Sequence, residues 1–192
     1  MKVEVTGHEE AMAAVKAADG AMGDKAALHN RIARGAAPVM RNHLLDRNAS
    51  AKRKAGWPRS GYWGHAAEST EGTADAGAAT VTVRKEGVGL HLRGGTVRSK
   101  RPGGKLAIPL LAQFAGVNPR EAWPDRKGAF VVNSGVNAFL AVREGGELKL
   151  CYLLLSSVTL DPDPSVLPPE GRMEEAARDA CLSFLRKAEK AV

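Results

Sequence analysis

Hydrophobic and polar positions alternate most clearly between Ala78 and Pro109. Val81 and Val83 are interleaved with Thr80, Thr82 and Arg84, and Val88, Leu90 and Leu92 with Gly89, His91 and Arg93. Two runs of period two around Glu86-Gly87 predict an antiparallel hairpin. Gly94-Gly95 then predicts a bulge or sharp bend. Thr96 to Lys105 sets Arg98, Lys100, Arg101 and Lys105 around Pro102, Gly103 and Gly104, a composition that cannot bury itself. It predicts a basic loop projecting from the sheet before Leu106, Ala107 and Ile108 return to the core.

Upstream, Glu9 to Arg47 is rich in helix formers, with Met12, Val15, Met22, Leu28, Ile32, Val39 and Met40 marking an apolar face. Breaks are expected near Asp19 to Asp24 and near Gly35 to Pro38, because glycine and proline weaken a helix interior. Met1 to Thr6 alternates weakly, as a short strand would. Downstream, Leu110, Leu111 and Phe114 have helical spacing, with a turn at Trp123-Pro124. Strands are expected at Ala129 to Asn133, Ala138 to Glu144 and Leu148 to Thr159, the last two joined by a Gly145-Gly146 hairpin turn.

Asp161 to Gly171 holds four prolines and predicts an extended spacer. Met173, Ala177, Cys181 and Phe184 then recur at helical spacing from Arg172 to Val192, the packing face of an amphipathic terminal helix that covers the sheet or another copy of the chain. The expected architecture is α+β: a small, mostly antiparallel sheet of five or six strands, N-terminal helices, a C-terminal helix and long projecting loops. Its expected layout is one domain: a helical region over 1–47, a basic and aromatic loop over 48–77, a sheet core over 78–160 with its loop at 96–105, a spacer over 161–171 and a helix over 172–192.

Composition qualifies this picture. Of 192 residues, 44% are hydrophobic, but much of that is alanine, and the aromatics are only three Trp, two Tyr and four Phe. A modest core in an elongated chain with arms is the consequence. The net charge of +7 suits nucleic acid, an acidic protein or a membrane surface, without choosing among them. No stretch approaches the roughly 20 apolar residues of a membrane span, and acidic residues stand where a signal peptide would be apolar. A soluble protein made in the cytoplasm is expected, with Cys151 and Cys181 as buried free thiols.

The most unusual segment is Asn48 to Gly64, where Arg53, Lys54 and Arg59 accompany Trp57, Tyr62 and Trp63. Basic residues among aromatics can pair with phosphates and stack on bases. They can equally dock a loop on the protein's own sheet, or on a neighbouring subunit. Catalytic chemistry is harder to find. His43 with Asp46 is an ordinary helical pair, His8-Glu9-Glu10 lacks a second histidine, and Ser156-Ser157 has no glycine-flanked elbow. The glycines at 87, 89, 94 and 95 do not lead into a helix as a phosphate loop would. No catalytic residue, metal ligand or cofactor site is expected, and the protein is not expected to be an enzyme.

The order NHLLDRNASAKRKAGWPRSGYWGHAAEST, VTVRKEGVGLHLRGGTVRSKRPGGKLAIP and AFLAVREGGELKLCYLLLSSVTLDPDPSVLPPEG resembles tailed-bacteriophage virion morphogenesis or tail-completion proteins. The matching pattern is Leu90-His91 followed by Gly94-Gly95, with Ile108-Pro109 as the return. The likeness covers roughly residues 40 to 190, and its motifs are short and structural. It implies a virion protein of the neck or tail terminus that assembles in the host cytoplasm as a homo-oligomeric, hexameric ring joining tail to head. Its implied partners are connector, neck or tail-tube proteins, with weak contact to DNA in the channel and none with membrane. Arg53, Lys54, Trp57, Arg59, Tyr62, Trp63, Arg98, Lys100, Arg101 and Lys105 are the expected interface residues. A nucleic-acid-binding module using the basic and aromatic loop is the alternative.

Overall fold

The computed structural model describes residues 8–52, 54–123 and 128–190. The strand expected over Met1 to Thr6, Arg53 and the turn at Pro124 lie outside them. The fold is α+β, with small antiparallel sheets and helices at both ends. Its contacts group into two compact units: Met1–Ser50, Tyr62–Val88 and Pro164–Val192 form a helical unit, and Ala51–Gly61 and Gly89–Asp163 a sheet unit.

In the helical unit, α1 (His8–Gly23) and α2 (Lys25–Ser50) are separated at Asp24, the first expected break. Asp24 caps α2, its Oδ1 accepting from the Ala27 backbone N–H at 3.0 Å. The second expected break is absent, and α2 continues through Gly35 and Pro38. Packing overrides propensity here. Ala33, Ala36, Ala37, Met40 and Leu44 are buried along one face, and Gly35 admits α6 (Glu170–Glu189) so closely that a Cβ would stand 2.9 Å from the Ala180 Cβ.

Next come α3 (Tyr62–Glu68) and the hairpin of β1 (Thr70–Ala74) and β2 (Ala79–Val83), both packed against α2. This corrects the expected partner of 79–83, which pairs backwards in the chain, Thr70 opposite Val83 and Ala74 opposite Ala79. Residues 75–78 are its turn: Asp75 Oδ1 accepts from the backbone of Gly77 at 2.7 Å and Ala78 at 2.9 Å. The proline-rich segment is not a free spacer, since Val166 in the 3₁₀ turn Pro164–Val166 is fully buried. The terminal helix α6 packs against α1 and α2.

Residues 88–93, expected as a strand, form α4 (Val88–Arg93). The apolar positions Val88 and Leu92 also fit helical spacing, and Gly94, at φ +70, stops the helix as a left-handed C-terminal residue. His91 is therefore helical. Thr96 to Arg98 is not loop: β3 (Gly95–Arg98) pairs with β8 (Ser157–Leu160) in a two-stranded ladder. The strand expected over 148–159 accordingly divides at Ser156 into β7 (Glu147–Leu155) and β8.

The larger sheet has the order β4 (Leu106–Pro109), β7, β6 (Asn137–Glu144), β5 (Ala129–Ser134), all antiparallel. Gly145 and Gly146, at φ +61 and +86, make the β6–β7 turn, the conformation that fits strand twist and that side chains resist. One face carries Tyr152, whose ring lies 5.3 Å from that of Phe114 and 6.1 Å from that of Trp123. Tyr152 donates to the Val117 carbonyl at 2.9 Å. Of the stretch with helical spacing from Leu110, Ala112–Phe114 form a 3₁₀ turn, and the short helix α5 (Pro119–Ala122) is started by an Asn118–Glu121 capping box.

Candidate interaction site

The interface residues named from the sequence separate into three settings. Tyr62 and Trp63 lie in α3, half-buried in the helical unit. Arg47 places its guanidinium 4.4 Å from the Trp63 ring centroid and donates to the Ser165 hydroxyl at 2.8 Å and carbonyl at 3.2 Å. Tyr62 stands edge-on to Trp63 at 5.0 Å, donates to the Glu86 carbonyl at 2.9 Å, and has Lys85 Nζ 5.8 Å from its ring. Burial raises the Tyr62 pKa above the ordinary phenol value. These contacts use both aromatics to fasten α3 to its own unit.

Lys54 and Trp57 belong to the sheet unit, where the Lys54 ammonium sits 5.6 Å from the Trp57 ring centroid. Arg59 is exposed nearby in sequence. Arg53 is outside the described residues.

The third setting is a basic groove. The turn after β3 folds back through Gly104, whose N–H donates to the Arg101 carbonyl at 2.9 Å, and Ser99 Oγ accepts from the Arg101 N–H at 3.3 Å. Gly103, at φ +66, completes a reversal that a side chain would strain. An open groove of about 660 Å³ is lined on one side by Lys100, Arg101 and Lys105 and on the other by Asn118 and Arg120. Arg98 lines a second groove, of about 450 Å³, against the same turn. Arg120 is not recognisable as a groove residue from sequence, because a lone arginine after Asn118-Pro119 carries no local signal of where α5 will place it.

On α6, Met173, Ala177, Cys181 and Phe184 are half-buried. The residues facing Gly35 are instead Ala176 and Ala180, with Ser183 accepting from Arg31 at 3.0 Å. The helix presents its small residues to α2, a choice periodicity alone could not make.

Three of the histidines act as local ties. His29 meets the Asp75 carbonyl and His43 the Ser165 carbonyl, each at 2.9 Å, and His65 meets Glu68 at 3.1 Å. Among the described residues no group of three His, Cys, Asp or Glu side chains is placed to hold a metal ion. Cys151 is buried and Cys181 partly so, both free thiols; burial raises the Cys151 pKa and so opposes thiolate formation. Among the described residues no helix is long and apolar enough to cross a membrane.

The remaining surface of interest is the sheet face opposite Tyr152. By register, Ile108, Leu153, Phe139 and Val132 form a row across four strands, with Phe130 and Leu148 on the same face. Ile108, Phe130 and Leu148 are 40%, 38% and 50% exposed. No family model matches the chain, no curated protein is significantly similar to it, and no solved structure matches it.

Proposed function

We propose that the protein is a structural subunit of a tailed-phage virion, a neck or tail-completion component that assembles as a homo-oligomeric ring and joins tail to head. The observation that carries this reading is the apolar sheet face bearing Ile108, Phe130 and Leu148, on a sheet whose edge strands are β4 and β5. Exposed apolar clusters and open strand edges are surfaces that another chain covers. The segment with the phage-like pattern, Leu90-His91 to Gly94-Gly95 and on to Ile108-Pro109, ends in the edge strand β4. It thus carries one of the exposed apolar residues itself.

In the ring, this face and the two edges meet neighbouring copies and the neck or tail-tube partners. Backbone hydrogen exchange tests the assignment. On raising the protein concentration, or on adding purified neck and tail-tube proteins, Leu106–Pro109 and Ala129–Ser134 gain protection. Exchange in both strands that stays the same across the series contradicts it.

A further inference from the structure

We propose that the groove between the turn 99–105 and α5 binds the phosphate backbone of duplex nucleic acid without reading its sequence. Lys100, Arg101 and Lys105 line one wall and Arg120 the other. Four cations thus share one groove, and among the described residues no carboxylate lines it. Among the described residues, none of the four has a carboxylate within ion-pair distance: the ion pairs found there are His65–Glu68, Arg84–Glu71 and Lys149–Glu144. Like charges held together without counter-charge repel, and a polyanion relieves that repulsion while releasing its own counterions.

The lining also distinguishes nucleic acid from an acidic protein. Protein interfaces are anchored by exposed aromatic or large apolar side chains at their centre, where lysine is depleted. Among the described residues this groove has no aromatic: Lys100, Arg101 and Lys105 are exposed on a Pro-Gly-Gly turn, over aliphatic residues that include Leu106, Val117 and Leu154. Ser99 and Asn118 add neutral polar groups of the kind that contact phosphate oxygens. With no aromatic platform for bases, contact is to the backbone and indifferent to sequence. Tyr62 and Trp63 belong to the helical unit, where they pack against their own neighbours. The proposal does not depend on ring formation.

The test is fluorescence anisotropy with a short mixed-sequence DNA duplex, using the full chain, K100E/R101E/K105E, R120E and the neutral set K100Q/R101Q/K105Q. A control, K25E/R172E/R178E, makes the same charge change on exposed helix positions of the other unit. The wild type is expected to bind at low salt, with affinity falling steeply from about 50 to about 200 mM. The groove triple is expected to lose roughly tenfold or more and flatten the salt dependence, by about one unit of slope per phosphate contact removed. The control should keep most of both. Unchanged thermal melting shows that each variant folds. Absence of wild-type binding at low salt overturns the proposal, as does an equal loss in groove and control variants. Retained DNA binding with loss of binding to poly-glutamate overturns it in favour of an acidic protein partner.

Discussion

Arg47 and Trp63 form a stacked pair, guanidinium over indole at 4.4 Å, that ties the end of α2 to the start of α3. Ser165 accepts two hydrogen bonds from the same arginine. One side chain therefore joins three segments of the helical unit that are distant in sequence.

Trp63→Ala is accordingly expected to lower the unfolding free energy by about 2 kcal/mol, through lost packing. A double-mutant cycle with Arg47→Ala should show a coupling of about 1 kcal/mol. Urea denaturation monitored by circular dichroism measures both. If Trp63 served base stacking instead, Trp63→Ala would abolish DNA binding and leave stability unchanged.

Two glycines set how closely elements approach. At Gly72 a Cβ would stand 2.5 Å from the Ala33 carbonyl oxygen, a backbone atom that cannot turn aside. Gly72→Ala is expected to cost about 1–3 kcal/mol, as overpacking does. At Gly35 the obstruction is the Ala180 Cβ at 2.9 Å, partly offset by the gain of about 1 kcal/mol that alanine brings to a helix. Gly35→Ala should therefore be the milder change in the same denaturation experiment.

Asp75 supplies a pH signature. The Gly77 and Ala78 N–H groups hold its carboxyl below the usual carboxylate range, with a smaller contribution from His29. A depressed folded-state pKa means that the stabilisation is present above the unfolded-state pKa and is lost as pH falls through the folded value. Asp75→Ala should therefore melt below wild type near neutral pH, and the gap should close on acidification below the ordinary aspartate value of about 3.9. A gap independent of pH contradicts this role.

The strands 129–134 and 137–144, the glycine turn between β6 and β7 and the terminal helix were legible because period, turn chemistry and length agree there. Residues 88–93 are ambiguous in sequence: Val88, Leu90 and Leu92 fit period two, while Val88 and Leu92 alone also fit the helical turn they form. Six residues cannot separate the two periods. The continuity of α2 through Gly35 and Pro38 was illegible for a different reason, since it depends on α6, well over a hundred residues away in the chain. Of the candidate site, the basic turn could be read locally. Arg120 could not, because only the fold sets it across the groove.

The exposed sheet face offers the most direct mutational handle on assembly. Leu148→Asp combined with Ile108→Thr changes the exposed side of this face, Leu148 being half exposed and Ile108 40% exposed, so the fold should survive with thermal melting close to wild type. Buried in a subunit contact, the Leu148→Asp charge would be unpaired and strongly unfavourable. Velocity sedimentation should show the variant restricted to monomer. A variant that still assembles like wild type would remove this face from the interface.

The most direct measurement of the central claim is the solution mass of the purified full chain across a concentration series, by light scattering coupled to size exclusion. Assembly through the Ile108, Phe130 and Leu148 face predicts a discrete species at a whole multiple of 20.3 kDa. A mass of one chain at every concentration, unchanged after mixing with neck and tail-tube proteins, would contradict it.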